Sequence, residues 1–303
     1  MSNKARTKST ELRKLEYLNA RMNLPSKSKQ HYLNLLRGYE GEVQFDSLTE
    51  KLQCDCIILN DLLLKVNNTL FQIDTMIITS HTIYIFEVKN IDGDYYYEGD
   101  KFFKLPEYEI TNPLHQLSRS ESLLHQLFLK LKIKINLPFQ ASVVFINPEF
   151  TLYQAPLNKP IIFSNQVKRY LSKLNATPSK LNEKHRLFAE KLVSLHIDES
   201  PFTQIQEYTY NQLRKGITCV KCNSFSITFD GRMCVCEECG FAEKVTSAVI
   251  HAVEDFKFLF PEKNITTSII HDWCKMVVSK KVINRILNQS LTMVGSTRWA
   301  YFK

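Results

Sequence analysis

Gln72–Asn90 reads QIDTMIITSHTIYIFEVKN, two apolar runs around a polar break at Ser80-His81. That is the pattern of a β-hairpin, with strands expected over Thr69–Thr79 and Thr82–Asn90. If Thr79 faces Thr82, Asp74 lies opposite Glu87 and Gln72 opposite Lys89. Side chains alternate faces along a strand, so Asp74, Glu87 and Lys89 share one face. Directly opposed Cβ atoms are roughly 4.5–5.5 Å apart, and like charges there repel. Two such carboxylates either share a proton or take up a divalent cation, which prefers hard oxygen ligands. A register slip of one residue would turn Asp74 to the other face, so this reading depends on the turn. The bland alternative is a solvent-facing strand pair with incidental charges.

On either side the pattern is mixed α/β. Leu12, Leu15, Leu18 and Met22, then Tyr32, Leu35 and Leu36, recur at helical spacing over 10–36, interrupted at Pro25-Ser26. A further helix is expected from Gly38 to about Gln53, then a strand over Cys56–Leu64. After the hairpin, Gly93–Lys104 reads as a second hairpin, Asn112–Lys132 as a helix and Ala141–Ile146 as a buried strand. Asn112-Pro113 suits an N-cap followed by Pro at the first helical position. Short helices are expected near 165–174 and 180–195.

Four short motifs carry a resemblance. GYEGE at 38–42, QID at 72–74, EVKN at 87–90 and NPLHQ at 112–116 occur in order, and together they resemble the nuclease-related domain (NERD) family of restriction-endonuclease-like nucleases. The resemblance covers roughly 38–155. It implies a restriction-endonuclease-like mixed sheet flanked by helices and a Mg²⁺-type (or Mn²⁺) active site. It makes Asp74 and Glu87 the metal ligands, Lys89 the catalytic lysine, Glu42 an auxiliary acid and Gln116 a helix-borne accessory group. Gly38 and Gly41 would let the helix carrying Glu42 approach the sheet closely. A metal-dependent nuclease acting on DNA follows, or, as the alternative, a non-catalytic DNA-binding adaptor on a silent nuclease fold. His115 and His125 stay outside the expected site.

Eight cysteines are present, and five fall within Cys219–Cys239. CVKC at 219–222 and CEEC at 236–239 are two C-x₂-C pairs, the spacing of a four-thiolate structural zinc site. Ser224–Phe229 and Arg232–Val235 are the expected ribbon strands, turning at Asp230-Gly231. Cys234 competes with Cys236 as a ligand, but Cys236-x₂-Cys239-Gly makes the better turn. Cys54, Cys56 and Cys274 read as plain apolar residues.

The 303 residues carry a net charge of +8, unevenly spread: +7 over 1–37, +6 over 257–303 and −5 between. Basic ends around an acidic centre suit a cation-binding core with nucleic-acid-gripping flanks, although solvated helix surface is the simpler reading of the N-terminal arm. In the tail, Thr267 and Ser279 are expected to cap two helices, the second with Lys280, Lys281, Asn284 and Arg285 outward. LTMVGSTRWAYFK then alternates like a β-wing that offers Arg298 to a phosphate. A winged-helix-like α+β module is expected there, and a small helical cap is the alternative. The expected segments are thus a basic arm (1–37), a nuclease-related domain (38–155), a helical connector (156–215), a zinc ribbon (216–245) and the basic module (246–303). No apolar run reaches the roughly 18 residues of a membrane span, and the N-terminus lacks a signal-peptide core, so a cytoplasmic location is expected.

Overall fold

In a computed structural model, residues 4–132, 137–296 and 300–303 are described. They divide into two compact units, Met1–Ser9 with Leu33–Phe202, and Thr10–Tyr32 with Thr203–Lys303. The first two helices are α1 (Thr10–Arg21) and α2 (Ser26–Thr49). The break at Pro25 falls where the sequence puts it, but α2 is one continuous helix in place of the two expected. Gly38 and Gly41 do not interrupt it. A helical glycine costs only about 1 kcal/mol against alanine, and Phe45, 1% exposed, anchors the C-terminal half in the core.

The first unit is built on β1 (Ile57–Val66), β2 (Thr69–Ile78) and β3 (Ile83–Lys89), an antiparallel meander. Asn67 and Asn68, both at positive φ, make the tight turn between β1 and β2. Thr75 pairs with Phe86 and Ile78 with Ile83, the register expected from a Ser80-His81 turn. A second group follows, β4 (Gly93–Glu98), β5 (Lys101–Lys104) and β6 (Tyr108–Ile110), then α3 (Pro113–Lys130), β7 (Phe139–Phe145), β8 (Phe150–Tyr153), β9 (Ile161–Phe163), α4 (Ser164–Ala176) and α5 (Glu183–Ser194). The main sheet runs β1-β2-β3-β7-β9, with β7 parallel to β3. A smaller sheet runs β6-β5-β4-β8. Leu117, Leu124 and Leu127 of α3, with Phe188 and Leu192 of α5, cover one face of the main sheet. Phe45 of α2 and Val167, Leu171 and Leu174 of α4 cover the other. The result is a mixed α/β unit, a five-stranded sheet with helices on both faces.

A phase slip sits in the middle of the meander. On β1 the residues facing the α3 side are Leu59, then Leu62 and Leu64; on β2 they are Phe71 and Ile73, then Met76. Asp61, at φ 56°, and Asp74 occupy the slip. It re-aims side chains next to the point where β2 and β3 separate.

In the second unit, β10 (Ile227–Asp230), β11 (Met233–Cys236) and β12 (Ala242–Lys244) form a three-stranded ribbon, displaced by up to three residues from its expected strands. Helices α6 (Val245–Leu259), α7 (Thr267–Trp273) and α8 (Lys280–Ser290) follow, then β13 (Met293–Val294) paired with β14 (Tyr301–Phe302). Ile265 bridges to Phe302 as a third, one-residue strand. Helix, bridge, two helices and a hairpin make this a winged-helix-like module. Its core gathers Val249, Phe256, Ile270, Trp273, Ile283 and Leu287. Thr266, not Thr267, caps α7, accepting from the Ile269 amide; Ser279 caps α8 as expected. No helix among the described residues is long and apolar enough to cross a membrane.

Candidate active site and metal centre

The β2–β3 ladder ends at Thr75 and Phe86, and the Asp74 carboxylate takes over where it stops. Asp74 Oδ2 accepts from the Val88 amide at 2.8 Å. Glu87 Oε1 lies 2.7 Å from Lys89 Nζ as an ion pair. Lys89 Nζ donates to Gln116 Oε1 at 3.0 Å, from the exposed first turn of α3. Asn112 caps that helix, accepting from the Leu114 amide, and so fixes where Gln116 stands. Asp74 and Glu87 are 6% and 3% exposed, whereas the Lys89 side chain is 26% exposed.

Helix α2 delivers Glu42, and Gly41 makes that possible. A Cβ on Gly41 would lie 2.3 Å from Asn90 Cβ. Asn90 in turn donates to the Arg37 carbonyl of the same helix at 2.8 Å. Gly38 has nothing within 4 Å of such a Cβ, so the expected role in close approach belongs to Gly41 alone. Gly41→Ala should therefore lower stability by about 1–3 kcal/mol through overpacking. Gly38→Ala should be neutral or raise stability by up to about 1 kcal/mol. Urea denaturation of the two variants checks the contrast.

Two residues of the cluster were not read from the sequence. Arg6 Nη1 donates to Glu42 Oε2 at 2.5 Å, and its Nε and Nη2 fork onto Asp46 at 2.9 and 3.2 Å. Arg6 Nη2 also donates to the Asp74 carbonyl at 2.6 Å. Asp46 receives Thr75 Oγ1 as well, at 3.5 Å. A signal for these residues existed. Glu42 and Asp46 lie four apart on one helix face, where like charges repel unless a cation joins them.

The electrostatics show an unbalanced site. Burial first, then the Asp74 carboxylate, push Glu87 up from its ordinary 4.5 to about 7 and Glu42 to about 8. Burial also raises Asp74, against the pull of Lys89 and the Val88 amide. Burial opposes the charge on Lys89, but Glu87 and Asp74 outweigh it and hold the ammonium above its usual range. Among the described residues the cations acting on Glu42, Asp46, Asp74 and Glu87 are Arg6 and Lys89, while the nearby Asp61 is matched by Lys4. With all four acids ionised the excess would be two negative charges, the amount one divalent cation neutralises; without a cation, Glu42 and Glu87 hold protons up to about pH 7 to 8. The chemistry of the donor set, hard carboxylate oxygens, fits Mg²⁺ or Mn²⁺, with Asp74 and Glu87 as the candidate donors and Glu87 Oε1 already ion-paired with Lys89. These acids are looser than a closed cage. Among the described residues, the only three or more His, Cys, Asp or Glu ligand atoms all within 4.8 Å of one another belong to cysteines. Mg²⁺ commonly takes one or two protein carboxylates and keeps other positions for water and phosphate.

Those cysteines are Cys219, Cys222, Cys236 and Cys239. Sγ–Sγ distances of 3.6 Å join Cys219 to Cys239 and Cys222 to Cys236. Tetrahedral zinc with Zn–S near 2.3 Å requires about 3.8 Å, so the cluster can hold that ion. Each pair forms the same turn. Asn223 N donates to the Cys219 carbonyl and Gly240 N to that of Cys236, with φ values of 58° and 70°. The Cys239 amide, aimed at the Cys236 sulfur, leads a shift of that thiol down to about 7. Cys234 is outside the cluster, buried in the core beside α6. Lys280, Lys281, Asn284 and Arg285 are exposed on α8, with Thr267 Oγ1 donating to Asn284 Oδ1. Arg298 lies outside the described residues.

Residues 37–146 match the family described as nuclease-related domain. No curated protein and no solved structure matches the chain.

Proposed function

We propose that the nuclease-related domain is a Mg²⁺-dependent nuclease that hydrolyses phosphodiester bonds in DNA. One observation carries this reading: buried Asp74 and Glu87 and half-buried Glu42 cluster with raised pKa values, and the ammonium of Lys89 lies against Glu87. Asp74 and Glu87 would hold the cation. When bound, it supplies Lewis-acid polarisation of the phosphate and a lowered pKa for water. Lys89 orients the attacking water or steadies charge developing on the phosphate oxygens. Gln116 accepts from Lys89 and so aims it, and Glu42 is the auxiliary acid. In the second unit the four cysteines would hold a structural zinc. Lys280, Lys281, Asn284 and Arg285 would grip nucleic acid with an affinity that falls as salt rises. Cleavage of plasmid DNA with Mg²⁺ and none with EDTA tests the reading. Salt-sensitive DNA binding without cleavage in Mg²⁺ or Mn²⁺ would make the protein a non-catalytic adaptor.

A pH dependence follows from the same cluster. Glu42 and Glu87 are raised in the fold, so their protonated forms are favoured there. Their contribution is fully present below about pH 4.3, the unfolded value, and is lost as pH rises through 7 to 8. Without divalent cations the first unit should melt lower at pH 8.5 than at pH 5. Added Mg²⁺ should raise its melting temperature more at the higher pH, where the carboxylates are free to bind it.

A further inference from the structure

The N-terminal arm reads as a solvated polycation, yet two of its residues are built into the acidic cluster. Lys4 joins the edge of β1: the Asn60 amide donates to the Lys4 carbonyl at 3.0 Å, and Lys4 N reaches the Ile58 carbonyl at 3.4 Å. The Lys4 ammonium donates to the carbonyls of Asn60 and Asp61 at 2.8 and 2.6 Å, tying off the backbone at the phase slip. Two residues later the guanidinium of Arg6, its side chain 2% exposed, fills the space between α2 and β2.

We propose that Arg6 is a positioning residue of the active site, the tip of an N-terminal strap that ties Glu42 and Asp46 of α2 to the backbone of Asp74. The proposal rests on the nuclease reading above and adds a residue to it. The geometry needs arginine. Nε and Nη2 hold both oxygens of Asp46, Nη1 holds Glu42, and Nη2 reaches the Asp74 carbonyl. A lysine ammonium is a point donor and cannot span all three. The cross-link falls where β2 leaves β3 and Asp74 is re-aimed, so slack in it moves an acid that must stay within a fraction of an ångström. Two other roles give different results. A purely structural Arg6 would lower stability without a specific link to Glu42. An inhibitory plug standing where the cation belongs would slow the wild type.

The test uses the full chain and five variants, Arg6→Ala, Arg6→Lys, Glu42→Gln, the double Arg6→Ala/Glu42→Gln and Asp46→Ala. For plasmid cleavage in Mg²⁺, Arg6→Ala should lower kcat about 10–100-fold with KM within about twofold. Arg6→Lys should recover only part of this. About 10 mM guanidinium should raise the rate of Arg6→Ala and not that of Arg6→Lys or wild type, because only the alanine variant leaves room for the ion. The double variant should lose less than the product of the two single losses, since Arg6 acts in part through Glu42. Trypsin gives a readout independent of cleavage. The Arg6–Thr7 bond should be cut at least about tenfold more slowly in wild type than in Asp46→Ala, which releases the strap. Should Arg6→Ala not fold, Arg6→Lys and the trypsin comparison decide. An Arg6→Ala variant as fast as wild type or faster, a double variant with fully additive losses, or rapid trypsin cutting after Arg6 in native wild type would each overturn the proposal. A wild type that cuts no DNA overturns the nuclease reading instead, and strap docking is then judged by trypsin alone.

Discussion

Glu87→Ala is expected to lower Mg²⁺-dependent plasmid cleavage by at least about a thousandfold, to the level seen with EDTA. In the proposed site Glu87 is one of the two acids that would hold the cation, and its Oε1 is ion-paired with Lys89 at 2.7 Å. Its loss removes a ligand and leaves Lys89 without its ion-pair partner. Lys89→Ala should cost about a hundred- to a thousandfold, the usual scale for removing one electrostatic group aimed at the transition state. Neither change should unfold the first unit. Glu87 carries a burial cost reflected in its rise to about 7, so the alanine variant should be no less stable than wild type above that pH in metal-free buffer. Initial rates on plasmid and single-stranded DNA in Mg²⁺, Mn²⁺ and EDTA, with melting curves alongside, separate lost chemistry from lost fold. Cleavage that survives both substitutions would remove this site from the reaction.

The second large effect concerns zinc. The purified chain should carry about one zinc, and Cys219→Ser or Cys239→Ser should lose it and unfold the ribbon. The ribbon has little apolar substance of its own: Thr228, Phe229, Asp230 and Met233 are all exposed. Small units of this kind draw about 10–16 kcal/mol of apparent folding free energy from the metal. Cys234→Ser should keep the zinc, because that thiol belongs to the hydrophobic core. Metal analysis by mass spectrometry, with amide exchange over 217–244, reads both outcomes. A chain that stays folded and metal-free would contradict the assignment.

Where chemistry and periodicity coincided, the sequence was readable. The hairpin register was fixed by a polar two-residue break between apolar runs, and charge in those runs marked the site. The C-x₂-C pairs were readable because ligand spacing is local. Arg6 and Asp46 were not. Arg6 meets Glu42 across 36 residues and Asp46 across 40, and nothing local distinguishes it from the other cations of the arm. Helix α6 escaped because it is rich in β-branched Val, Ile and Thr and its N-cap, Lys244, makes no side-chain cap bond. Tertiary burial of Val249, Ala252 and Phe256 makes it a helix where local propensity is weak. Gly38 and Gly41 looked alike in the motif; only the approach of Asn90 distinguishes them.

The most direct measurement is anomalous diffraction from crystals soaked in Mn²⁺. A peak is expected between the Asp74 and Glu87 carboxylates, about 2.0–2.4 Å from an oxygen of each and open toward Lys89. It should vanish in Glu87→Ala. Strong Mn²⁺ density elsewhere, with none beside Asp74 and Glu87 in protein that cleaves DNA, would contradict the assignment of these acids as the seat of the reaction.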